Sequence, residues 1–531
     1  MDKEFCLLEK PWIKVLNQKN TIKEISLLDL FANAHKYKRL AGETVTQDVA
    51  ILRLLLAVTI TVFYRYNVDG EEDNVLDYDD PEEEILKRWE DYWEKNEFNS
   101  EVFKKYLETY RERFYLFHPG MPFWQVANLK EGTNYNIINL LGNVKESNNS
   151  VSKHHFHMVD GTYIRDMSYA EVARWIVYNN AYSVNVKTKV DGKSVATGVG
   201  RLGQLGFIMA LENNIYKDIM LNLCALHCQG DYAEAWKEPK PIWEQKPREE
   251  IGVKISPPEN LPQLYTIQSR RLLLQKNGSQ IEGFKSIGGD YYSVLGDFVE
   301  PMTLLRWNDK EKHVYKPKKH EKVVSVWREF PSILEQELKP GVVCWLEKLA
   351  AESLLNEKSI ITFAMVGLEY GDGMSYTNGE IVCESLSMSK DLLNQTGKVW
   401  ITLIADQVNK CEQVVKKCFK KFSDILAVEL YKGDKKGTKK IQEALATEYF
   451  FKVDKAFKEW LISIQPEICK RDVKEKEWQE TSAMLAQLVL REYTRMAPPQ
   501  LVLVCAKAFK VFKKELYRVY PKNTERGEKN E

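Results

Sequence analysis

Apolar residues recur along this chain with two different periods, and the change from one to the other divides it. Over roughly the first 390 residues they come in short runs broken by Gly, Pro, Asn and acidic clusters. Trp12-Ile-Lys-Val-Leu reads as a strand, and residues 26–34 as a short helix. Val49, Leu52, Leu55, Leu56 and Thr59 share one helical face, with Thr46 placed to cap it. Residues 81–114 are charged and helical, and Pro81 suits a first turn. Helices are predicted over 168–178 and 214–226. Leu264-Tyr-Thr-Ile and Arg271-Leu-Leu-Leu predict strands, with Lys276-Asn-Gly-Ser279 a hairpin turn. An apolar strand, 360–366, runs into the turn-rich Gly367-Leu-Glu-Tyr-Gly-Asp-Gly-Met-Ser375.

From about residue 390 the helical period takes over. Four segments, near 397–430, 438–464, 474–496 and 499–519, are each long enough to cross a bundle. Phe419, Phe422 and Leu426, then Ala444, Tyr449, Phe450 and Phe457, then Met484, Leu488 and Leu490 recur mostly at helical spacings. The pattern therefore predicts an α+β chain: a large mixed N-terminal domain, residues 1–390, followed by a C-terminal four-helix bundle, residues 391–531.

Composition narrows the class. A chain of 531 residues that is 44% hydrophobic and 29% charged falls among ordinary folded proteins. Its longest apolar stretch, 50–63, carries Arg53 and falls short of the ~20 residues that span a bilayer. The first residues are acidic where a signal peptide would be basic, so a cytoplasmic location and no membrane are expected. Nine scattered cysteines suggest no disulfide framework. Cys224, His227 and Cys228 lack a second ligand pair, so a buried apolar segment, not a metal, is expected there. No cofactor is expected either. His154, His155 and Phe156 belong to a polar stretch that reads as an exposed loop or as an RNA-contacting one, since imidazole and phenyl rings stack on bases.

Net charge is zero but uneven. Residues 391–531 hold 28 Lys and Arg against 20 Asp and Glu, a surplus of eight bases, and the first 390 residues hold the matching surplus of acids. That excludes a protein that coats nucleic acid by bulk charge, and allows one that touches it through local patches. Such a patch lies between Lys187 and Gly206, which contain five glycines, four cations and one acid. Glycine lets backbone approach a ligand closely, and lysine or arginine supplies charge for phosphate. Gly192-Lys193-Ser194 has the tail of a P-loop without its leading glycine. Gly198-Val-Gly-Arg-Leu-Gly203 matches a dinucleotide fingerprint without the preceding buried strand. A solvated loop, a polynucleotide-contacting loop and a nucleotide site stay open on these residues. No nucleophile elbow, zinc-protease helix, calcium loop or ATPase motif is present, which shifts weight from catalysis to binding.

Several phrases together resemble one family. Leu7-Leu-Glu-Lys-Pro-Trp-Ile-Lys-Val15, residues 47–56, Pro122-Phe-Trp-Gln125, Met220-Leu-Asn-Leu, Thr266-Ile-Gln-Ser-Arg-Arg271 and Glu300-Pro-Met302 follow in order the pattern of the large subunit of the type I-E CRISPR surveillance complex, Cascade (the CasA family). The resemblance covers essentially the whole chain, bundle included. It implies a non-enzymatic DNA-recognition subunit that reads a short motif beside the target, the PAM, in double-stranded DNA. It further implies that the subunit starts strand separation for guide RNA pairing and helps recruit a helicase-nuclease. By the same resemblance, Gly192, Lys193, Ser194 and Lys285 would meet the PAM from the minor groove. Asp372, Gly373 and Met374 would form the strand-separating wedge, and His154, His155 and Phe156 would meet the guide RNA 5′ handle. The implied partners are target duplex, guide RNA, the backbone and small Cascade subunits and the helicase-nuclease. The alternatives are a nucleotide-dependent enzyme using Gly198 to Gly203, and a helical scaffold subunit without nucleic-acid contact.

Overall fold

The computed structural model describes residues 3–142, 167–185, 187–190, 193–229, 232–247, 249, 251–292, 300–307, 315–321, 324–335, 339–355, 360–374 and 377–521. The chain forms two compact units. The first comprises Met1–Lys322, Glu337–Leu349 and Phe363–Ser385; the second comprises Val323–Gln336, Ala350–Thr362 and Leu386–Glu531. The helical unit thus takes in two segments that lie before residue 390 in the sequence.

The first unit is built around the helix Val45–Arg65, buried on nearly every side. Its N-cap is Thr44, whose hydroxyl accepts from the Gln47 amide at 3.2 Å, and Thr46 lies buried just inside. Sequence periodicity found only one face because a helix packed all round has no polar stripe. At 21 residues it is long and apolar enough to cross a membrane, yet 89% of its apolar window is buried inside the protein. Arg53 survives in this core through ion pairing. Both its terminal nitrogens donate to Glu300, Nη2 to Oε2 at 3.2 Å. Its guanidinium also lies 3.7 Å from the Tyr265 ring centroid, and Arg201 Nε stands 3.6 Å from Glu300 Oε2. Burial would raise the Glu300 pKa, but the two guanidiniums outweigh it and hold the carboxylate below its ordinary value.

Two three-stranded sheets frame the rest of what matters. In one, Arg270–Asn277 and Gln280–Gly288 form the hairpin announced by Asn277-Gly278, with Gly278 at φ +60° and Thr133–Asn136 on the outer side. In the other, Ile360–Tyr370 lies between Thr377–Ser389 and Phe207–Leu211. Two expectations are corrected. The helix predicted over 214–226 stops at Leu221, and Leu226–Gln229 is a strand. The strand predicted at Leu264 is the end of a short helix, Leu261–Tyr265, because Asn260 caps it through Gln263 N and Pro262 fits its first turn.

In the second unit the first bundle helix runs as Lys398–Gln413, a π-helical turn Val414–Phe419, and Lys420–Tyr431. Lys435–Ile462, Arg471–Arg495 and Val502–Val519 follow. Ile441, Leu445, Tyr449, Val453 and Phe457 line the core at four-residue steps. Trp327 joins it from the segment before the bundle, its ring 4.8 Å from Phe457. The apolar stripe read from sequence needs shifting. Ala444, Met484 and Leu488 are exposed, whereas Leu445, Ser482, Ala486 and Val489 face inward. Ser482 is buried because its hydroxyl lies 2.6 Å from Tyr449 OH and 2.7 Å from Tyr520 OH, a polar contact that hydropathy alone does not reveal.

Candidate nucleic-acid interface

The cationic, glycine-rich segment opens as a β-hairpin. Lys187–Val190 and Lys193–Ala196 pair antiparallel, with Lys189 opposite Ser194 and Val190 opposite Lys193. A two-residue connection spelled Asp-Gly is the signature of a tight hairpin turn, a signal the loop reading passed over. Lys193 and Ser194 thus begin the returning strand. Gly192 lies outside the described residues, as do His154, His155 and Phe156.

The base of this hairpin is held by side-chain and main-chain bonds to backbone. Arg270 is buried, and its Nη2 donates to the carbonyls of Val184 at 2.7 Å and Gly198 at 2.6 Å, one on each leg. Burial lowers its pKa to about 10, so it keeps its charge at neutral pH. Asn185 Oδ1 accepts from the Gly198 amide at 3.1 Å. Gly200 N donates to Ser183 O at 2.9 Å.

Two of the fingerprint glycines serve packing, while Gly198 takes a positive φ of +72°. A Cβ on Gly200 would sit 2.4 Å from the Ala181 carbonyl oxygen, and one on Gly203 would sit 2.1 Å from the Tyr370 hydroxyl. Arg201–Gln204 is a short 3₁₀ turn, Arg201 is buried beside Glu300, and the next element is the strand Phe207–Leu211. A dinucleotide fingerprint needs a helix N-terminus at this point, so this geometry weighs against the nucleotide-enzyme reading.

The tip Asp372–Met374 meets the same hairpin base. Gly373 has φ +62° and Met374 φ +56°. Left-handed backbone at a non-glycine costs about 1–2 kcal/mol. Around Met374 its own amide donates to Gly371 O at 2.9 Å and Asn185 N donates to its carbonyl at 2.7 Å. Asn185 Nδ2 reaches Gly373 O at 3.3 Å. Met374 is 40% exposed. Lys319 stands beside it, Nζ 4.0 Å from Met374 Sδ and 5.2 Å from the Tyr370 ring centroid. Tyr370 OH donates to Tyr182 O at 2.8 Å.

Hairpin and tip, far apart in sequence, are thus brought together. Lys285 is not on the same face. Gly288, three residues later on its strand, packs on Thr197 just past the hairpin, a Cβ there falling 2.4 Å from Thr197 Cγ2. Strand side chains alternate, so Lys285 points to the opposite face, where its Nζ donates to Lys130 O at 3.0 Å. Sequence reasoning missed Asn185, Arg270 and Lys319. Only Arg270 left a trace, inside the phrase Thr266 to Arg271. Among the described residues no cluster of three or more metal-ligating side chains occurs. Cys224 and Cys228 are buried, and the His227 ring lies 4.8 Å from that of Trp236.

Comparison with known proteins decides the family. The family of CRISPR-associated protein Cse1 (CRISPR_cse1) matches residues 7–491. The chain belongs to that family. The Thermus thermophilus CRISPR-associated protein CasA/Cse1 is 24% identical over 338 residues, which is 63% of this chain and 61% of that relative's length. The crystal structure of Thermobifida fusca Cse1 superposes with a TM-score of 0.82 at 25% identity, covering 97% of this chain and 98% of that one. A chain from a CRISPR RNA-guided surveillance complex superposes with a TM-score of 0.70 at 13% identity, over 97% of this chain and 100% of that one. The α+β architecture with a helical C-terminal region is that of the Cse1 structures.

Proposed function

We propose that this Cse1-family chain is the PAM-recognising large subunit of a type I-E CRISPR surveillance complex. It binds target duplex beside the protospacer, starts strand separation for guide RNA pairing and helps recruit the helicase-nuclease. It acts in the cytoplasm as a binding subunit without catalytic chemistry. Its partners are the guide RNA 5′ handle and the backbone and small subunits. The observation that carries the reading is the meeting of a cationic hairpin with an exposed apolar tip, in a chain of this family. The hairpin supplies charge and close-approaching backbone for a minor groove. The tip supplies a wedge, and unstacking one base step costs a few kcal/mol that phosphate contacts and new RNA–DNA pairs must offset.

The test is an assembly reconstituted with and without this chain. It is offered duplexes whose guide-matched target is flanked by randomised bases. Selective capture of some flanks and opening of the target, both lost without this chain, is the expected result. Equal capture and opening without it would end the reading.

A further inference from the structure

Asn185 holds two elements at once. Its Oδ1 accepts from Gly198 N at 3.1 Å, closing the base of the 187–196 hairpin. Its main-chain N donates to Met374 O at 2.7 Å, and its Nδ2 to Gly373 O at 3.3 Å. One amide side chain thus bonds the hairpin with its oxygen and the tip with its nitrogen. The hairpin legs are themselves clamped by Arg270, which donates to the carbonyls on either side of them. The tip strand is braced from beneath by Tyr370, whose hydroxyl donates to Tyr182 O, only three residues before Asn185. A Cβ on Gly203 would collide with that hydroxyl, so the ring packs directly against the Gly203 backbone.

We propose that Asn185 is a positioning residue that couples duplex reading by the hairpin to strand opening by the tip. This rests on the function proposed above. Asn185 itself need not touch DNA.

The amide's two ends allow a clean separation. Asn185→Asp keeps an acceptor for Gly198 N but sets a carboxylate oxygen against the Gly373 carbonyl. Asn185→Ala removes both side-chain bonds and leaves the main-chain bond to Met374. Each is compared with the parent in the complete assembly with guide RNA. Capture is read by equilibrium binding of a duplex carrying the guide-matched target and the flank selected from the randomised pool. Opening is read by fluorescence of 2-aminopurine at the first target step. Asn185→Asp should capture within about twofold of the parent and open at least about tenfold more slowly. A target already unpaired at that first step should restore full RNA pairing. Asn185→Ala should lose opening and also weaken capture. Normal opening by both variants, or equal loss of capture and opening by Asn185→Asp, overturns the coupling and leaves the proposed function standing. If the parent assembly neither captures nor opens the duplex, that function fails and the coupling with it.

Discussion

The hairpin-and-tip region and the helical bundle are held together by opposite means. In the bundle, each core residue is repeated a turn later by another of the same kind, as from Ile441 to Phe457. Its stability is spread over many interchangeable contacts. At the tip, no such repeat exists. Position is set by single bonds from Asn185 to the Gly373 carbonyl and from Arg270 to the Val184 and Gly198 carbonyls, and near the hairpin base by Gly200 and Gly203, which have no space for a Cβ. The first kind of region tolerates substitution one methylene at a time. The second fails bond by bond, which is what the proposed coupling through Asn185 requires.

The largest effects should come from the cores, for different reasons in each unit. Arg53→Met leaves Glu300 buried, with the more distant Arg201 as its remaining cation among the described residues. Breaking a buried pair costs about 3–5 kcal/mol. Hydrogen exchange in Val45–Arg65 should therefore accelerate by about two to four orders of magnitude. Phe457→Ala removes a fully buried ring packed against Trp327, Trp460 and Trp478. Truncations of this kind cost about 3–5 kcal/mol through lost burial and a residual cavity. Exchange in Arg471–Arg495 should rise, while exchange around Asn185 should stay at the parent rate. Faster exchange at Asn185 in Phe457→Ala would break the comparison.

The same contrast explains what the sequence could disclose. The four bundle helices were legible because periodicity is a local signal repeated many times. The facing of Arg471–Arg495 was not, since Ser482 is buried by a bond to Tyr449 on another helix while Met484 is left outside. Both hairpins are written in the chain as Asn-Gly and Asp-Gly. The meeting of Asn185 with Gly373 joins residues 188 apart, and a side-chain-to-carbonyl bond leaves no pattern in either segment. The opposed faces of Lys285 and Gly288 were in principle readable from strand alternation. They became meaningful only once Thr197 was seen against Gly288.

A pH-dependent effect belongs to the first unit. Burial raises the Asp218 pKa from 3.8 to about 8, while its Oδ1 accepts from Glu212 N at 2.8 Å. Below about pH 4 both folded and unfolded forms are protonated. Between about pH 4 and 8 only the unfolded form has lost its proton, so stability falls as pH rises, by at most about 1.4 kcal/mol per pH unit. Above about pH 8 the contribution is flat. Asp218→Asn keeps the acceptor and removes the ionisation. Chemical unfolding across that range should lose this part of its slope, and the variant should be the more stable one at pH 8. An unchanged profile would show that Asp218 does not retain its proton in the fold.

The smallest effects should separate two lysines that look alike in sequence. Lys193 begins the returning strand of the hairpin, and Lys285 spends its ammonium on the Lys130 carbonyl on the face turned from Thr197. A lysine that neutralises one phosphate contributes about 0.9 to the slope of log affinity against log salt, and one that meets none contributes nothing. Lys193→Ala in the complete assembly should therefore weaken duplex binding severalfold at low salt and flatten that slope by about one unit. Lys285→Ala should change the slope by much less, because duplex contact would first have to pull its amine from a bond already made. Equal losses from the two would mean that the strand 280–288 presents its other face to DNA. The hairpin would then share phosphate contact with that strand, and the contrast between a bond-by-bond reading element and its supporting sheet would give way.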